Sequence, residues 1–202
     1  MKALVINCTL KRSPDPSNTE ALAHVVVESL EKEGVDVEVV RAVDLDIEPG
    51  VVSEAVRPGD AWPSLHARLL DAEILVIASP TWLGRPSSVA QRVLERMDAL
   101  MSETDGEGRP VAYNRVAGVV VTGNEDGAHH VISEISGALA DLGYTIPGQA
   151  WTYWHLGPGP GPDYLDDERG RAWSHRTGRA MAANLYGVAR ALADRPLGAP
   201  PE

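Results

Sequence analysis

The chain has 202 residues, of which 44% are hydrophobic, and this is enough for one domain with a substantial buried core. Its 29 acidic and 18 basic residues give a formal net charge of −11, which disfavours nucleic acids and anionic membrane surfaces as partners. The single cysteine, Cys8, excludes an internal disulfide framework, and no apolar run is long enough for a secretory signal or a membrane span, so we expect a cytoplasmic protein.

Four short apolar runs, rich in β-branched residues, predict the first four strands. They cover residues 3–8, 35–43, 74–78 and 116–121. Because these runs are apolar on both faces, they are typical of parallel strands that are covered by helices on both sides. A weaker fifth strand is predicted over 144–151, where Pro147 and Gly148 interrupt the run.

Between the runs, the spacing of the apolar residues changes to the helical period. Three stripes predict amphipathic helices: Leu22, Val25, Val26 and Leu30; Val89, Val93, Met97, Leu100 and Met101; and Ile132, Ile135, Leu139 and Leu142. A last helix is predicted over about 166–193, with an inward face of Trp173, Thr177, Leu185, Val188 and Leu192. The tail that follows, residues 196–202, is rich in proline and should be frayed.

The alternation of strands and helices predicts an α/β fold with three layers and right-handed crossovers. Five parallel strands fit the flavodoxin-like order 2-1-3-4-5, in a single domain that covers residues 1–195. In such a sheet, ligands bind where loops leave the carboxyl ends of the strands. The loops after the first, third and fourth predicted strands are therefore the candidate ligand-binding segments.

The loop after the first strand, residues 9–19, is rich in hydroxyl groups and leads into a helix. Ser17 and Glu20 have the spacing of a capping box, so the helix should begin near Ser17 and present free N–H groups to an anion. An N-cap in a polar surface loop accounts for the same pattern without a ligand. The loop contains no glycine, which excludes the common dinucleotide and NTP-binding fingerprints, and Cys8 and Arg12 are too close together for a Cys-x5-Arg phosphatase loop.

The loop after the third strand turns at Pro80, Gly84 and Pro86 and places Trp82 just outside the sheet. An aromatic side chain at this position suits a flat apolar ring system, although a tryptophan in the core or in an interface would fit the same pattern. The loop after the fourth strand, residues 122–130, has two glycines that allow close backbone approach. Its two adjacent histidines point apart on a helix and lack a third ligand at a suitable spacing, so we expect no metal site.

Taken together, the three loops resemble the NADPH-dependent FMN reductase family of the flavodoxin-like superfamily. The similar motifs are Thr9-Leu10-Lys11-Arg12-Ser13 with Ser17-Asn18-Thr19, then Ser79-Pro80-Thr81-Trp82-Leu83-Gly84, and then Thr122-Gly123-Asn124. The resemblance covers roughly residues 1–150. It departs from the family pattern at Cys8-Thr9, where many members have Gly-Ser, and at Pro14 and Pro16.

The resemblance implies an FMN site made of three groups of residues. Thr9, Lys11, Ser13, Ser17, Asn18 and Thr19 would surround the phosphate; Pro80, Thr81, Trp82, Leu83 and Gly84 would line the ring and the ribityl chain; and Thr122, Gly123, Asn124 and Glu125 would flank the other edge of the ring. Candidates to cover the exposed ring face are Trp151, Tyr153, Trp154 and His155. The Gly-Pro run at 157–162 is interpreted as a lid, an arm onto a neighbouring subunit or a plain surface loop.

The resemblance also implies an enzyme that passes reducing equivalents from NADPH or NADH through FMN to flavin, quinone or another small acceptor. Because FMN itself takes the hydride, no catalytic acid–base pair is expected. A homodimer or homotetramer is implied as well. Two other interpretations stay open, namely a flavodoxin-type electron carrier, which the acidic charge suits, and a flavin-free binding module of the same fold.

Overall fold

The computed structural model describes residues 1–200, and its centre is a parallel sheet. The strands are β1 (Lys2–Asn7), β2 (Asp36–Arg41), β3 (Ile74–Trp82), β4 (Arg85–Pro86), β5 (Val116–Thr122) and β6 (Trp151–Trp154). The five parallel strands have the order β2-β1-β3-β5-β6, and β4 forms a short antiparallel hairpin with the end of β3. The predicted order 2-1-3-4-5 is confirmed, and the hairpin is an addition that the sequence did not predict.

The α-helices of the described residues cover both faces of the sheet. They are α1 (Asn18–Lys32), α2 (Trp62–Asp71), α3 (Ser88–Met97), α4 (Ala128–Asp141) and α5 (Arg171–Asp194). Helices α1 and α5 pack on one face, and α2, α3 and α4 pack on the other. Both faces need this cover because alternate residues of β1, such as Leu4 and Val5, enter opposite core clusters. None of these helices is long and apolar enough to span a bilayer.

The fifth parallel strand lies later in the chain than predicted. The sequence predicts it over 144–151, but β6 begins at Trp151. Within the predicted range, Thr145 forms an isolated bridge with Val116, and the chain then turns so that the Ala150 N–H bonds to Pro147 O at 3.2 Å. Since Pro147 has no N–H group to donate to a ladder, the strand starts only after this turn.

The predicted helical stripe from Val89 to Met101 is wrong at its last residue. Helix α3 passes into a 3₁₀ helix over Asp98–Ser102. The tighter turn of a 3₁₀ helix has three residues instead of 3.6, so it changes which side chains share a face. Met101 is rotated outward as a result, and 63% of its surface is exposed.

The last helix also differs from its prediction, both in its start and in its buried face. It begins at Arg171 instead of near 166. Of the predicted inward residues, Leu185 is buried, and the others are only half-buried. Small residues lie on the buried face, and a Cβ atom on Gly178 would be 3.3 Å from Val25 Cγ1. The face of α5 toward α1 is therefore chosen by close packing, which a count of large apolar residues does not detect.

The long connection between β2 and α2 is anchored by a buried ion pair. Arg96 of α3 and Asp60 are 2.9 Å apart, and both side chains are fully buried. Arg96 also donates to the carbonyl oxygens of Glu48 and Glu54, so one side chain holds three points of this connection. Burial alone would raise the pKa of Asp60, but backbone N–H groups and the Arg96 guanidinium lower it to about 2.

The predicted frayed tail is described as far as residue 200. Residues 196–200 have no regular secondary structure, and residues 201–202 lie outside the described residues. Leu197 exchanges two hydrogen bonds with the Asn114 side chain, at 2.7 and 3.2 Å. The start of the tail is therefore held against the loop that precedes β5.

Candidate functional site

The carboxyl ends of β1, β3 and β5, which are neighbours in the sheet, open into one crevice. Its walls are Thr9, Leu10, Lys11, Asn18, Thr19, Pro80, Thr81, Trp82, Thr122, Gly123, Asn124, Asp163 and Tyr164. The empty space, with its open mouth included, is about 530 Å³. The crevice lies where a doubly wound parallel sheet is expected to bind its ligand.

Ten of the fifteen predicted site residues line this crevice. They are Thr9, Lys11, Asn18 and Thr19 from the first loop, Pro80, Thr81 and Trp82 from the second, and Thr122, Gly123 and Asn124 from the third. The other five, Ser13, Ser17, Leu83, Gly84 and Glu125, are not part of its walls. The structure thus brings all three predicted segments together, and it gives the remaining five residues supporting contacts.

Helix α1 begins with Ser17 as its N-cap, as predicted. The Ser17 hydroxyl accepts a hydrogen bond from the Glu20 N–H at 3.1 Å. The Glu20 carboxylate does not close a capping box, because Arg41 binds it at 2.8 Å and Asn7 Nδ2 binds it at 2.7 Å. Since Arg41 offsets the charge of Glu20, the positive end of the α1 dipole still favours an anion.

The outer part of the first loop is held by the last residue of β2 and by a residue that follows this strand. Ser13 donates its hydroxyl to Asp44 Oδ2 at 2.6 Å and its N–H to Asp44 Oδ1 at 3.0 Å, and these bonds lower the pKa of the Asp44 carboxyl. Arg41 donates to Asp15 O at 2.8 Å. Ser13 therefore faces Asp44, and the structure does not bring it to the crevice as the predicted phosphate shell requires.

Leu83, Gly84 and Glu125 position the second and third loops. The β3–β4 hairpin turns at Leu83 and Gly84, whose φ angles are 52° and 72°. Glu125 accepts the Leu83 N–H at 2.6 Å. Gly127 approaches the turn so closely that a Cβ atom there would lie 2.6 Å from Gly84 Cα. These contacts hold Trp82, which is 52% exposed, at the mouth of the crevice.

Threonine side chains form the inner wall. Thr19 Oγ1 and Thr122 Oγ1 are 2.7 Å apart and join the first loop to the third. Thr81 Oγ1 is buried and has no hydrogen-bond partner within residues 1–200. Gly123 packs directly on this side chain, and a Cβ atom on Gly123 would lie 3.0 Å from Thr81 Cβ. The three loops are therefore in direct contact behind the crevice.

Three crevice residues are absent from the predicted set: Leu10, which lies within the first predicted motif, and Asp163 and Tyr164, which lie outside all three motifs. Asp163 accepts a hydrogen bond from Asn124 Nδ2 at 3.3 Å. Two residues further along the chain, the Leu165 N–H donates to Asn18 Oδ1 at 3.0 Å. The signal in the sequence is the Gly-Pro run at 157–162, which directly precedes Asp163 and for which a lid is one of three interpretations. The residues that reach the crevice are the ones that follow this run.

The aromatic residues around β6 do not cover the crevice, and this prediction is wrong. Trp154 is 2% exposed in the core, where its indole N–H donates to Arg169 O at 2.7 Å. Trp151 and Tyr153 lie on the opposite face of β6, since successive side chains of a strand alternate. They form an aromatic cluster that also contains His129, His155 and Trp173.

Cys8 and the two adjacent histidines have structural surroundings. Cys8 is fully buried, and burial raises the pKa of its thiol well above the ordinary value, so the thiol stays neutral. His129 belongs to the aromatic cluster, and His130 Nε2 is 3.4 Å from Glu134. Within residues 1–200, no three His, Cys, Asp or Glu side chains are grouped so that they could hold a metal ion.

Comparison with known proteins decides the family. Residues 1–157 match the family model described as NADPH-dependent FMN reductase. The chain belongs to this family. Its membership supports a flavin-related oxidoreductase, with FMN as the flavin.

Two curated relatives differ in how much of their length the chain matches. The 8-demethyl-8-aminoriboflavin-5'-phosphate synthase of Streptomyces davaonensis is 41% identical over 207 residues, which cover 97% of this chain and 80% of that protein. The divalent metal cation transporter MntH of Mycobacterium bovis is 42% identical over 198 residues, which cover 95% of this chain. The match spans only 29% of the length of the transporter.

A solved structure is similar over nearly the whole chain. It is the crystal structure of RosB with the bound intermediate 8-demethyl-8-formylriboflavin-5'-phosphate. The TM-score is 0.91 at 40% identity, and the match covers 98% of this chain and 82% of that one. The similarity therefore includes the crevice, the segment after β6 and helix α5.

Proposed function

We propose that the crevice binds FMN, with the phosphate at the start of α1 and the ring along Trp82. The observation that carries this proposal is the convergence of ten predicted residues, from three separate segments, on one crevice. Family membership and the likeness to RosB, which holds a riboflavin 5'-phosphate derivative, support the same class of ligand.

The first loop has donor groups that suit a phosphate. The start of α1 offers free N–H groups and the positive end of a helix dipole. Lys11 lies in the crevice wall and has no ion-pair partner within residues 1–200, so its charge is available to an anion. Thr9 Oγ1 accepts the Lys11 N–H at 3.3 Å, which leaves the Thr9 hydroxyl proton free to be donated. These groups fit a phosphate monoester better than a neutral ligand.

The second and third loops suit a flat ring system. Trp82 presents half of its surface at the crevice mouth, next to Pro80. Gly123 and Asn124 belong to the same wall, and Asn124 carries a side-chain amide. An aromatic side chain together with an amide suits a heteroaromatic ring, which has an apolar face and a polar edge.

Bound FMN supplies hydride chemistry, with NADPH or NADH as the donor and flavin, quinone or another small molecule as the acceptor. The side chains of this protein bind and orient the flavin and exclude water from its buried edge, and no acid–base pair is required of them. The homodimer or homotetramer and the cytoplasmic location are proposals that rest on the family resemblance and the sequence.

Anaerobic mixing of the FMN-loaded protein with NADPH, and separately with NADH, tests this function. We expect the flavin absorption to bleach without any partner protein, a result that also argues against a flavodoxin-type electron carrier. No bleaching with either nicotinamide would contradict the reductase activity. Failure of the protein to retain or bind FMN would contradict the site itself and favour the flavin-free binding module.

A second candidate function is chemistry on the flavin itself, with FMN as a substrate. The observation that favours it is the extent of the similarity. The family model ends at residue 157, whereas the similarity to the Streptomyces davaonensis synthase covers 97% of this chain. The segment after β6 and helix α5 are therefore shared with a protein that is named for the synthesis of a modified flavin phosphate.

Mass spectrometry of the recovered flavin separates the two functions. Riboflavin 5'-phosphate is incubated with the protein in air with a panel of amino acids as amino donors, and in parallel with NADPH without oxygen. A flavin of unchanged mass that cycles between its oxidised and reduced forms supports the reductase. A flavin of changed mass, absent from the incubation without protein, supports the second candidate.

A further inference from the structure

The segment that follows β6, residues 156–165, lies along one side of the crevice, and we call it the cap. Gly161 N–H donates to Asn124 O at 2.6 Å. Gly159 has a φ of 80°, and a Cβ atom there would lie 2.7 Å from both Asn124 O and Glu125 Cα. The cap backbone is thus pressed against the loop after β5, at a distance that leaves no room for a side chain.

Two asparagines of the crevice wall hold the end of the cap from opposite sides. Asn124 Nδ2 donates to Asp163 Oδ1 at 3.3 Å, from the loop after β5. Asn18 Oδ1 accepts the Leu165 N–H at 3.0 Å, from the first turn of α1. These two bonds flank Tyr164, so they define where its backbone lies between the ring side and the phosphate side of the crevice.

The Tyr164 ring is fixed by three further contacts. Its hydroxyl is 2.7 Å from His175 Nε2, the Trp154 ring packs edge-on at 5.5 Å, and the Arg171 guanidinium lies 5.0 Å from the ring centre. Arg171 also donates to Tyr164 O at 2.6 Å. Tyr164 is 5% exposed, and it is one of the residues that line the crevice. It is therefore a rigid part of the wall.

We propose that Tyr164 is a flavin-contacting residue of the crevice, and that Asn18 is a positioning residue that holds Tyr164 in place through Leu165. This inference rests on the proposed flavin site. It assigns Asn18 a different role from the phosphate contact that the family resemblance implies, because its side-chain oxygen is already bonded to the cap. The two roles differ in a measurable way, since riboflavin has the ring and the ribityl chain of FMN but no phosphate.

Affinities for riboflavin and for riboflavin 5'-phosphate, measured in parallel by fluorescence titration, test the proposal. We expect Asn18→Ala to weaken both affinities by a similar factor, about fivefold to tenfold, which is the effect of one lost hydrogen bond. Asn18→Asp keeps the oxygen that accepts the Leu165 N–H but adds a negative charge. It should therefore weaken the binding of the phosphate form and leave riboflavin binding unchanged.

Tyr164→Ala tests whether the Tyr164 ring contacts the flavin. We expect this variant to weaken the affinities for both flavins by about tenfold or more. Tyr164→Phe keeps the ring, so its affinities should stay within about twofold of those of the native protein. Asn184→Ala is the control, because it removes an asparagine side-chain bond to the backbone away from the crevice, in this case one that Asn184 donates to Gly148 O. It should change neither affinity.

Hydrogen exchange of the Leu165 amide in the ligand-free protein provides a readout that needs no flavin. We expect Asn18→Ala to accelerate this exchange and Asn18→Asp to leave it protected. A selective loss of affinity for the phosphate form in Asn18→Ala, with normal Leu165 protection, would overturn the positioning role. Unchanged flavin affinities in Tyr164→Ala would overturn the assignment of Tyr164 as a flavin-contacting residue.

The proposed function and this inference fail in different ways. If the native protein binds neither flavin, the flavin site is contradicted, and Tyr164 as a flavin contact is contradicted with it. The exchange rate of the Leu165 amide still decides in that case whether Asn18 holds the cap. If the native protein binds both flavins and the variants behave as the control does, only the inference is overturned.

Discussion

At the scale of single residues, the inner wall of the crevice combines bonded side chains with one unbonded hydroxyl. Thr19 and Thr122 share a hydrogen bond. Thr81 Oγ1 is buried without a partner within residues 1–200. A buried polar group in this state costs about 1–3 kcal/mol, so the fold would be more stable without this hydroxyl.

Thr81→Val removes the unpaired hydroxyl and keeps the shape of the side chain. We expect the free energy of unfolding to rise by about 1 kcal/mol, because no hydrogen bond is lost. Thr152→Val is the matched control, since Thr152 is fully buried and its Oγ1 donates to Ser174 O at 2.8 Å. It should lower the stability by about 1–2 kcal/mol. Urea unfolding measures both, and a loss in Thr81→Val as large as in the control would show that Thr81 has a partner.

Ser17 separates the stability of α1 from the binding of a phosphate. Ser17→Ala removes the N-cap and should lower the free energy of unfolding by about 1 kcal/mol. Ser17→Asp keeps a good N-cap, so its stability should be close to native, but its carboxylate would repel the phosphate dianion. We expect Ser17→Asp to weaken FMN binding and to leave riboflavin binding unchanged in fluorescence titrations. Equal FMN affinities in Ser17→Asp and the native protein would show that the phosphate lies elsewhere.

The sequence predicted residues whose roles are local and missed those that depend on distant partners. Ser17 was predicted correctly as an N-cap because its partner is three residues away. Ser13 has the same chemistry, but its partner Asp44 is 31 residues away, and no local pattern reveals that contact. Tyr164 was missed for the same reason, since Asn18 and Asn124 place it in the crevice from remote parts of the chain.

At the scale of the elements, the β3–β4 hairpin and the loop before α4 depend on each other. Gly127 has a φ of 106°, and its Cα faces Gly84 without room for a Cβ atom. Gly127→Ala should therefore lower the free energy of unfolding by more than about 2 kcal/mol. Gly137→Ala is the control within α4, where a Cβ atom would meet nothing within 4 Å, and it should raise stability by about 0.5–1 kcal/mol. Thermal unfolding of the two variants measures the contrast, and similar melting temperatures would contradict it.

The buried pair of Asp60 and Arg96 makes the connection before α2 sensitive to acid. The pKa of Asp60 is lowered from 3.8 to about 2, so its contribution to stability is complete above about pH 4 and is lost as the pH falls through about 2. Asp60→Asn leaves Arg96 buried without a charged partner, and we expect a loss of about 3 kcal/mol or more at neutral pH. The difference between the variant and the native protein should shrink between about pH 4 and about pH 2.

Denaturant unfolding across this pH range measures the effect. Asp71→Asn is the control, because Asp71 pairs with Lys2 at an exposed position and screened surface pairs contribute little. A loss of stability in Asp60→Asn that is as small as that of Asp71→Asn would contradict the anchoring role. A difference that stays constant down to about pH 2 would contradict the lowered pKa.

Elements were predictable where one physical cause dominates. Strands β1, β3 and β5 were found within a few residues, because burial under two layers of helices permits almost no polar residue. The edge strand β2, in which only Val40 is buried, was found from its closely spaced valines. The fifth strand was misplaced because β6 is at the sheet edge and has only four residues, with mixed burial. The inward face of α5 was misjudged because small residues, such as Gly178, make the closest contact.

At the scale of the whole molecule, the order of the sheet creates the crevice. Strands β1, β3 and β5 are neighbours, so loops that are separated by more than 100 residues in the chain meet at one edge, as the bond between Thr19 and Thr122 shows. The alternation of strands and helices was sufficient to predict this arrangement, since right-handed crossovers leave few alternatives. The cap could not be predicted in this way, because it belongs to no regular element and its position depends on side-chain bonds.

The central claim is that this crevice holds a riboflavin phosphate with its phosphate at residues 9–19. The most direct test is a crystal structure of the protein soaked in excess riboflavin 5'-phosphate. We expect density for the phosphate at the start of α1, near Lys11, and for the ring along Trp82. A crevice that stays empty, or a flavin that enters with its phosphate at Trp82, would contradict this account.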